Sequence, residues 1–224
     1  MIENYLDGHK GTSLRKNGKD RLVIYINESF LNDVFLINGP SFITESLSIG
    51  DLSIAPFDYY MLLNNGKKKI KYAVNLDISK HKIIYNPYKY EHTQKVNIDP
   101  KPFIDKFNVP KGFVDVLSKW YSIKFTYRKY NLIYIKPEMG ISIQIHKYRD
   151  EAWEVLAGKP IIINGNRVYY FIKNGSHFIN LKDMFHSVIN PNKDPEAFVI
   201  LKESWKGKFD EEDIRRVYNP NNYY

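Results

Sequence analysis

There is no cysteine in this chain. Disulfides and thiolate metal sites are therefore excluded, and any metal must be held by nitrogen and oxygen. A reducing compartment is compatible with that absence. No apolar stretch approaches the length of a membrane span, and no apolar N-terminal run precedes a cleavage site. The expectation is a soluble, cytoplasmic protein with no membrane partner. No basic–aromatic motif accompanies the net charge of +8, which argues against a nucleic-acid partner. The lysines are instead scattered through turns, as at Lys67 to Lys69, Lys80 and Lys82, where they guard loops and sheet edges.

What the chain does have is strand-forming bulk. It contains 18 Tyr and 13 Phe with many Ile and Val, and 43% of its residues are hydrophobic. That composition predicts a folded, β-rich protein. Its 224 residues suffice for one large domain or two small ones. Residues 1–20 are polar and unpatterned and read as a flexible arm. Strands are predicted at Leu22 to Ile26, Val34 to Ile37, Leu47 to Ile54 and Tyr59 to Leu63. Asn64-Asn65-Gly66 reads as a tight hairpin turn into Ile70 to Leu76. Further strands are expected at Lys82 to Tyr85, Ser122 to Tyr127, Leu132 to Lys136 and onwards through Val199 to Leu201. Apolar spacing of three and four predicts a short helix from Lys111 to Trp120. The run Asp210 to Arg216 reads as an acidic helix start or turn.

Two gapped patterns carry chemistry. The first is Gln144-x-His146-x4-Glu151-x6-Gly158, and the second is Gly175-x5-Leu181-x-Asp183-x2-His186-x3-Asn190. Gln144, His146, Glu151 and His186 together offer an amide oxygen, a carboxylate and two imidazoles. Such a set suits a divalent metal, zinc first, with Fe, Mn, Ni or Co also accommodated, and leaves positions open for substrate. Gln144 and His146 lie two apart on a strand and so share a face with Ser142. Trp153 and Val155 are assigned to packing. His9, His81 and His92 lie outside any ligand spacing, and His177 is expected to face solvent.

The second pattern has a faint echo at an offset of 125 residues, Gly50-x5-Pro56-x-Asp58-x2-Met61-x3-Asn65. Met61 stands where the metal-competent His186 would be. The upstream positions fall on Lys19, Arg21 and Ile26, which cannot hold a metal. This predicts a duplicated barrel with a metal-free first copy and Met61 pointing inwards.

From Ile141 to Arg216 the chain resembles the cupin superfamily, and within it the cupin-type mannose-6-phosphate isomerases. Those proteins carry Ser-Leu-Gln-x-His-x-His-Arg-x-Glu-His-Trp-x-Val-x-x-Gly. Here the segment is Ser142-Ile143-Gln144-Ile145-His146-Lys147-Tyr148-Arg149-Asp150-Glu151-Ala152-Trp153-Glu154-Val155-Leu156-Ala157-Gly158. Gly175, His186 and Asn190 match a second motif, with Leu181 in place of a proline. Glu203, Gly207 and the run Glu211-Glu212-Asp213-Ile214-Arg215-Arg216 match a third. Tyr148 and Ala152 replace residues that are often His, and the family's closing Asp-x-Tyr-Gly-Arg is absent.

The resemblance implies an all-β cupin jelly-roll barrel, here a double barrel with a degenerate N-terminal copy. The implied domains are the arm at 1–20, a β-rich degenerate cupin-like domain at 21–110 and a metal-competent cupin domain at 111–224. It also implies a metal-dependent aldose–ketose isomerase acting on a phosphorylated sugar, as a homodimer. Glu151 would serve as ligand or base, and the sequence does not separate those roles. Arg149 would act at the reacting centre. Arg149, Lys147 and Arg215 or Arg216 would bind phosphate, because a guanidinium pairs bidentately with phosphate oxygens. Two alternatives stay open: a non-catalytic jelly-roll binding or structural protein, such as a viral one, with a relic site, and an iron cupin dioxygenase.

Overall fold

A computed structural model describes residues 1–45, 47–207 and 213–222. By its internal contacts the chain divides into two compact units. The first holds Met1–Lys89 with Gly165–Val168 and Val217–Tyr224; the second holds Tyr90–Asn164 and Tyr169–Arg216. Residues 90–110, assigned to the first domain from sequence, thus lie in the second unit. Among the described residues, no helix is long and apolar enough to cross a membrane.

The first unit contains β1 (Ile2–Leu6), β2 (Leu14–Lys16), β3 (Leu22–Ile26), β4 (Val34–Asn38), β5 (Ser41–Ile43), β6 (Ser53–Ile54), β7 (Tyr59–Asn64), β8 (Ile70–Val74) and β9 (Lys82–Tyr85). One sheet runs β1-β8-β3-β6, and the other strands run β5-β4-β7-β2-β9. Residues 1–20 are therefore not an arm. Ile2 to Leu6 pair antiparallel with β8, and Arg15 and Lys16 pair with both β7 and β9. The polar composition misled because these strands are short and β1 is largely exposed on one face.

Two further expectations fail here. Asn64-Asn65-Gly66 does not close a hairpin, since β7 and β8 belong to different sheets. The buried Asn64 amide instead ties three backbone carbonyls together, at Leu6, Asp7 and Lys68. The stretch expected as a strand from Leu47 is a 3-10 turn at Ile49–Leu52, followed by only two strand residues. The interior of this unit is a hydrocarbon cluster that includes Leu22, Ile24, Leu36, Leu62 and Val74.

The second unit contains α1 (Pro100–Lys106), β10 (Asp115–Ser118), β11 (Ser122–Thr126), β12 (Asn131–Ile135), β13 (Ile143–His146), β14 (Arg149–Ala157), β15 (Ile161–Asn164), β17 (His177–Asn180), β18 (His186–Ile189) and β19 (Val199–Gly207). Between β15 and β17 the chain forms β16 (Arg167–Tyr169), whose Arg167 pairs with Ser41 of β5, and it ends with β20 (Ile214–Tyr218). One sheet is six-stranded, β10-β11-β12-β19-β14-β17, and β20-β13-β18-β15 forms the other. The helix is upstream of its expected place. Asp99 caps Pro100–Lys106 by accepting from the Lys101 N–H. Lys111 to Trp120 carries a strand instead, because Val116 pairs directly with Phe125 of β11 and the ladder outweighs the helical spacing. Gly112, with φ +96, breaks any helix there. The acidic run is also not a helix start within the described residues. Residues 210–212 lie outside them, and Ile214–Tyr218 is a strand.

The fold is β-rich, with one short α-helix among the described residues. The strand orders of the two units match, β1-β8-β3-β6 against β12-β19-β14-β17 and β4-β7-β2-β9 against β15-β18-β13-β20. The matching offset differs from the sequence echo. Asn38 ends β4 before Gly39 (φ +54), as Asn164 ends β15 before Gly165 (φ +63). Asn38 pairs with Tyr60, as Asn164 pairs with His186. Tyr60, not Met61, thus takes the place of His186. Tyr60 and Leu62 join the inter-sheet core, so strand alternation turns Met61 to the opposite face, beside Gly11 and Leu63. The one-residue slip matters because it reverses every side chain.

Candidate metal centre

Three strands of the second unit bring the site together. β13 carries Gln144 and His146, β14 carries Arg149 and Glu151, and β18 opens with His186. Gln144 pairs directly with His186, which places both on one face. Along β14 buried and half-buried residues alternate from Arg149 to Val155. Glu151, Trp153 and Val155 therefore all point inwards, the first as a site residue and the other two as core.

His146, Glu151 and His186 are buried, and each offers a ligand atom within 4.8 Å of the others. Glu151 Oε1 lies 3.0 Å from His146 Nε2, and Glu151 Oε2 lies 3.6 Å from His186 Nε2. The Nδ1 atoms face carbonyls, that of Asp213 at 2.9 Å for His146 and that of Met184 at 2.9 Å for His186. A carbonyl can only accept, so in a neutral ring Nδ1 carries the proton and Nε2 keeps its lone pair. Each Nε2 then faces a carboxylate oxygen, a contact that is satisfied either by a proton on the ring or by a cation held between the two atoms.

Arg149 supplies part of that charge. Its Nε donates to Glu151 Oε1 at 2.9 Å, and its Nη2 lies 3.2 Å from His146 Nε2. Glu151 Oε2 and His186 Nε2 have no hydrogen-bond partner although both are buried. Leaving two such atoms unsatisfied costs about 1–3 kcal/mol each. This donor set and these two orphaned atoms fit a divalent metal. Gln144, half-buried beside them, accepts from the Ser142 hydroxyl at 2.8 Å.

The ionisation states agree with that fit. Burial alone would raise the Glu151 carboxyl, but the hydrogen bond with His146 and the charges of His186, His146 and Arg149 outweigh it and hold it at about 2. Burial depresses His186 to about 4, against the opposing pull of Glu151, so its ring is neutral at neutral pH, as a ligand must be. Glu203 behaves oppositely. Burial, reinforced by the negative charge of Glu151, pushes it up to about 7. It accepts from Asn131 Nδ2 at 2.8 Å and from Trp153 Nε1 at 3.1 Å.

A cleft leads to these groups, lined by Gln144, Arg149, Glu151 and Glu203, with Lys119, Lys124 and Arg216 around them. Of the phosphate ligands expected from sequence, Arg216 lines the cleft. Arg149 is engaged with Glu151 and His146. The exposed Lys147 does not line the cleft; its ammonium lies over the Tyr148 ring at 5.5 Å. Arg215 is exposed. The backbone N–H groups of Lys147 and Tyr148 donate to the Asp213 carboxylate at 3.0 and 2.9 Å, pinning the turn between β13 and β14. Sequence reasoning missed Lys119 and Lys124. Lys124 carried a signal, because it alternates with the apolar Ile123 and Phe125 and so must leave their face.

Residues 110–219, just under half of the chain, match the family model described as mannose-6-phosphate isomerase C-terminal. Over these residues the chain is similar to that family. The domain is also similar to curated proteins. It is 34% identical over 88 residues to a mannose-1-phosphate guanylyltransferase of Klebsiella pneumoniae, covering 39% of this chain and 18% of that one. It is 30% identical over 87 residues to the alginate biosynthesis protein AlgA of Pseudomonas aeruginosa, covering 38% and 18%. The chain thus spans under a fifth of the length of these relatives. Among solved structures, a putative sugar phosphate isomerase from Acidithiobacillus ferrooxidans is 19% identical. It covers 47% of this chain and 73% of that one, with a TM-score of 0.36.

Proposed function

We propose that this isomerase-type cupin domain is a metal-dependent enzyme interconverting an aldose phosphate and its ketose, with mannose 6-phosphate and fructose 6-phosphate as the pair to test. The observation that carries this reading is the pair of buried orphaned atoms, Glu151 Oε2 and His186 Nε2, with Glu151 itself lining a cleft that also holds Lys119, Lys124 and Arg216. His146, Glu151 and His186, with Gln144 beside them, would hold the metal. When bound, it polarises adjacent sugar oxygens and favours loss of the proton between them.

Two carboxyls then divide the work. Glu151, held at about 2, stays ionised and serves as ligand. Glu203, pushed up to about 7, can both take and return a proton near neutral pH, which is what transfer between C1 and C2 requires. Arg149 orients the Glu151 carboxylate and balances its charge. Nearly complete burial of these side chains keeps bulk water from competing for the proton.

One observation favours a second reading, a binding protein with a relic site. The Arg149 guanidinium already covers Glu151 Oε1 and His146 Nε2, the role a cation would play. Turnover separates the two. The enzyme reading expects interconversion of the two hexose phosphates that stops on chelation and returns with added metal. Metal-replete protein that turns over no hexose phosphate leaves the relic reading standing.

A further inference from the structure

The buried atoms offered to a metal are not equally available. Glu151 Oε2 and His186 Nε2 have no hydrogen-bond partner. Glu151 Oε1 and His146 Nε2 are both capped by one side chain. Arg149 Nε donates to Oε1 at 2.9 Å, and Arg149 Nη2 lies 3.2 Å from Nε2. His146 Nδ1 faces the Asp213 carbonyl, which only accepts, so in the neutral ring Nε2 has a single lone pair. That lone pair takes either an N–H of Arg149 or a metal ion, and not both. Charge gives a second reason for exclusion. Without metal, the Glu151 carboxylate and the Arg149 guanidinium balance each other, and both are buried. A divalent ion bound to the same carboxylate, with Arg149 still in place, would set two cations side by side away from water, where their repulsion is least screened. Arg149 also lines the cleft, with Gln144 and Glu203, so the guanidinium has space to leave by.

We propose that Arg149 is a resident cation that a divalent metal must displace, so that metal binding uncaps His146 Nε2 and Glu151 Oε1 and releases the guanidinium towards the cleft. This rests on the metal-dependent reading above and adds the residue that sets metal affinity. Arg149 acts by competition, not by supporting the ligands from behind, and the two roles have opposite signs. Removing a supporting partner weakens metal binding by about 10–100-fold. Removing a competitor strengthens it. Lysine separates charge from shape. Its ammonium keeps the positive charge but is a point donor, and it does not reproduce the planar fork that spans both capped atoms.

The test is zinc titration of the metal-free full chain against a chromophoric chelator, at fixed pH and salt. Arg149→Gln should bind zinc about tenfold more tightly than wild type, the size of an ordinary coupling between two binding events. Arg149→Lys should fall between them, and the exposed Lys159→Ala should match wild type. Wild type also gives a readout that needs no variant. The Arg149 Nε–H, held by Glu151, should exchange slowly with solvent in the metal-free chain and rapidly once one zinc is bound per chain, as followed by nuclear magnetic resonance. If the variants fail to fold, this exchange measurement decides. The proposal is overturned if Arg149→Gln binds zinc more weakly than wild type or within about twofold of it, or if the Nε–H stays protected in the zinc-loaded chain. Either of those results, with zinc bound to wild type, leaves the metal-dependent reading standing. Zinc taken up by Arg149→Gln but not by wild type would support the competition and sink the metal-dependent enzyme. Zinc taken up by neither overturns both.

Discussion

The two units share a strand order and differ in what they place between the sheets. In the second unit β13, β14 and β18 converge Gln144, His146, Glu151 and His186. At the corresponding register of the first unit, Arg15 pairs with Tyr60 as Gln144 pairs with His186. Arg15 spends its guanidinium on the Ile78 and His81 carbonyls, and the Tyr60 hydroxyl bonds His81 Nδ1 at 2.8 Å. Asn17, two residues beyond Arg15, donates to the carbonyls of Asp20, Ile54 and Ala55. The core residues of β3 are the hydrocarbons Leu22 and Ile24, where β14 buries a carboxylate. One strand order thus accompanies both a largely apolar interior and a polar site with two unsatisfied atoms. The frame depends on pairing and alternation, and the chemistry depends on a handful of inward positions.

The largest effect that would sharpen this contrast is on metal. His186→Ala should reduce metal affinity by more than about a hundredfold, since even outer-shell partners are worth 10–100-fold. Elemental analysis of purified protein reads this directly, and near-native circular dichroism should accompany it. Metal retained at one ion per chain would break the assignment. Leu36→Ala, in the fully buried core of the first unit, should behave in the opposite way. It should cost about 3 kcal/mol in urea unfolding and leave metal content untouched.

The buried acids and bases give the contrast a pH signature, best measured on metal-free protein. Glu203 titrates at about 7 in the folded chain, above its ordinary value of 4.5. Its contribution to stability is therefore full below about 4.5 and is lost as the pH rises through 7. His186 is depressed from 6.5 to about 4. Its contribution is full above 6.5 and is lost as the pH falls towards 4. Between pH 4.5 and 8, the stability of wild type relative to Glu203→Gln should fall by on the order of 3 kcal/mol. A constant difference across that range would contradict the buried, proton-holding Glu203.

The smallest effects test the first unit. Tyr60→Phe removes one hydrogen bond to His81 and should cost about 1 kcal/mol in thermal unfolding. Tyr60→His places an imidazole at the register of His186, yet it should bind no metal, because Arg15, Asn17 and Leu22 supply no ligand set. Stoichiometric zinc in that variant would show the two interiors to be closer than their side chains suggest.

Much of this was legible in the residues themselves. The aromatic and β-branched runs located most strands, because alternation and strand propensity are local. Gln144, His146, Glu151 and His186 were legible as a group because their spacing fits two strands and a turn. The sequence echo differs by one residue from the register at which the two strand orders agree. Gly50 lies in a 3-10 turn while Gly175 precedes a strand with φ +81, so spacing between turn residues was the wrong ruler. Only the ladder pairing Asn38 with Tyr60 fixed the equivalence.

Tertiary structure decided the rest. It turned residues 1–20 into strands, because a short polar segment gains order from the edge it pairs with rather than from its own pattern. It made a strand of Asp115–Ser118 because pairing with β11 outweighs helical spacing. It set Arg149 against Glu151 and His146, and it brought Glu203 to the same cleft as Lys119 and Lys124 from far along the chain. The sequence by itself determined an all-β chain and its metal-competent donor set, through local alternation and residue chemistry. Which cation faces substrate, which carboxyl keeps its proton and which copy stays closed depend on burial and on distances between strands. Those quantities exist only once the sheets have packed.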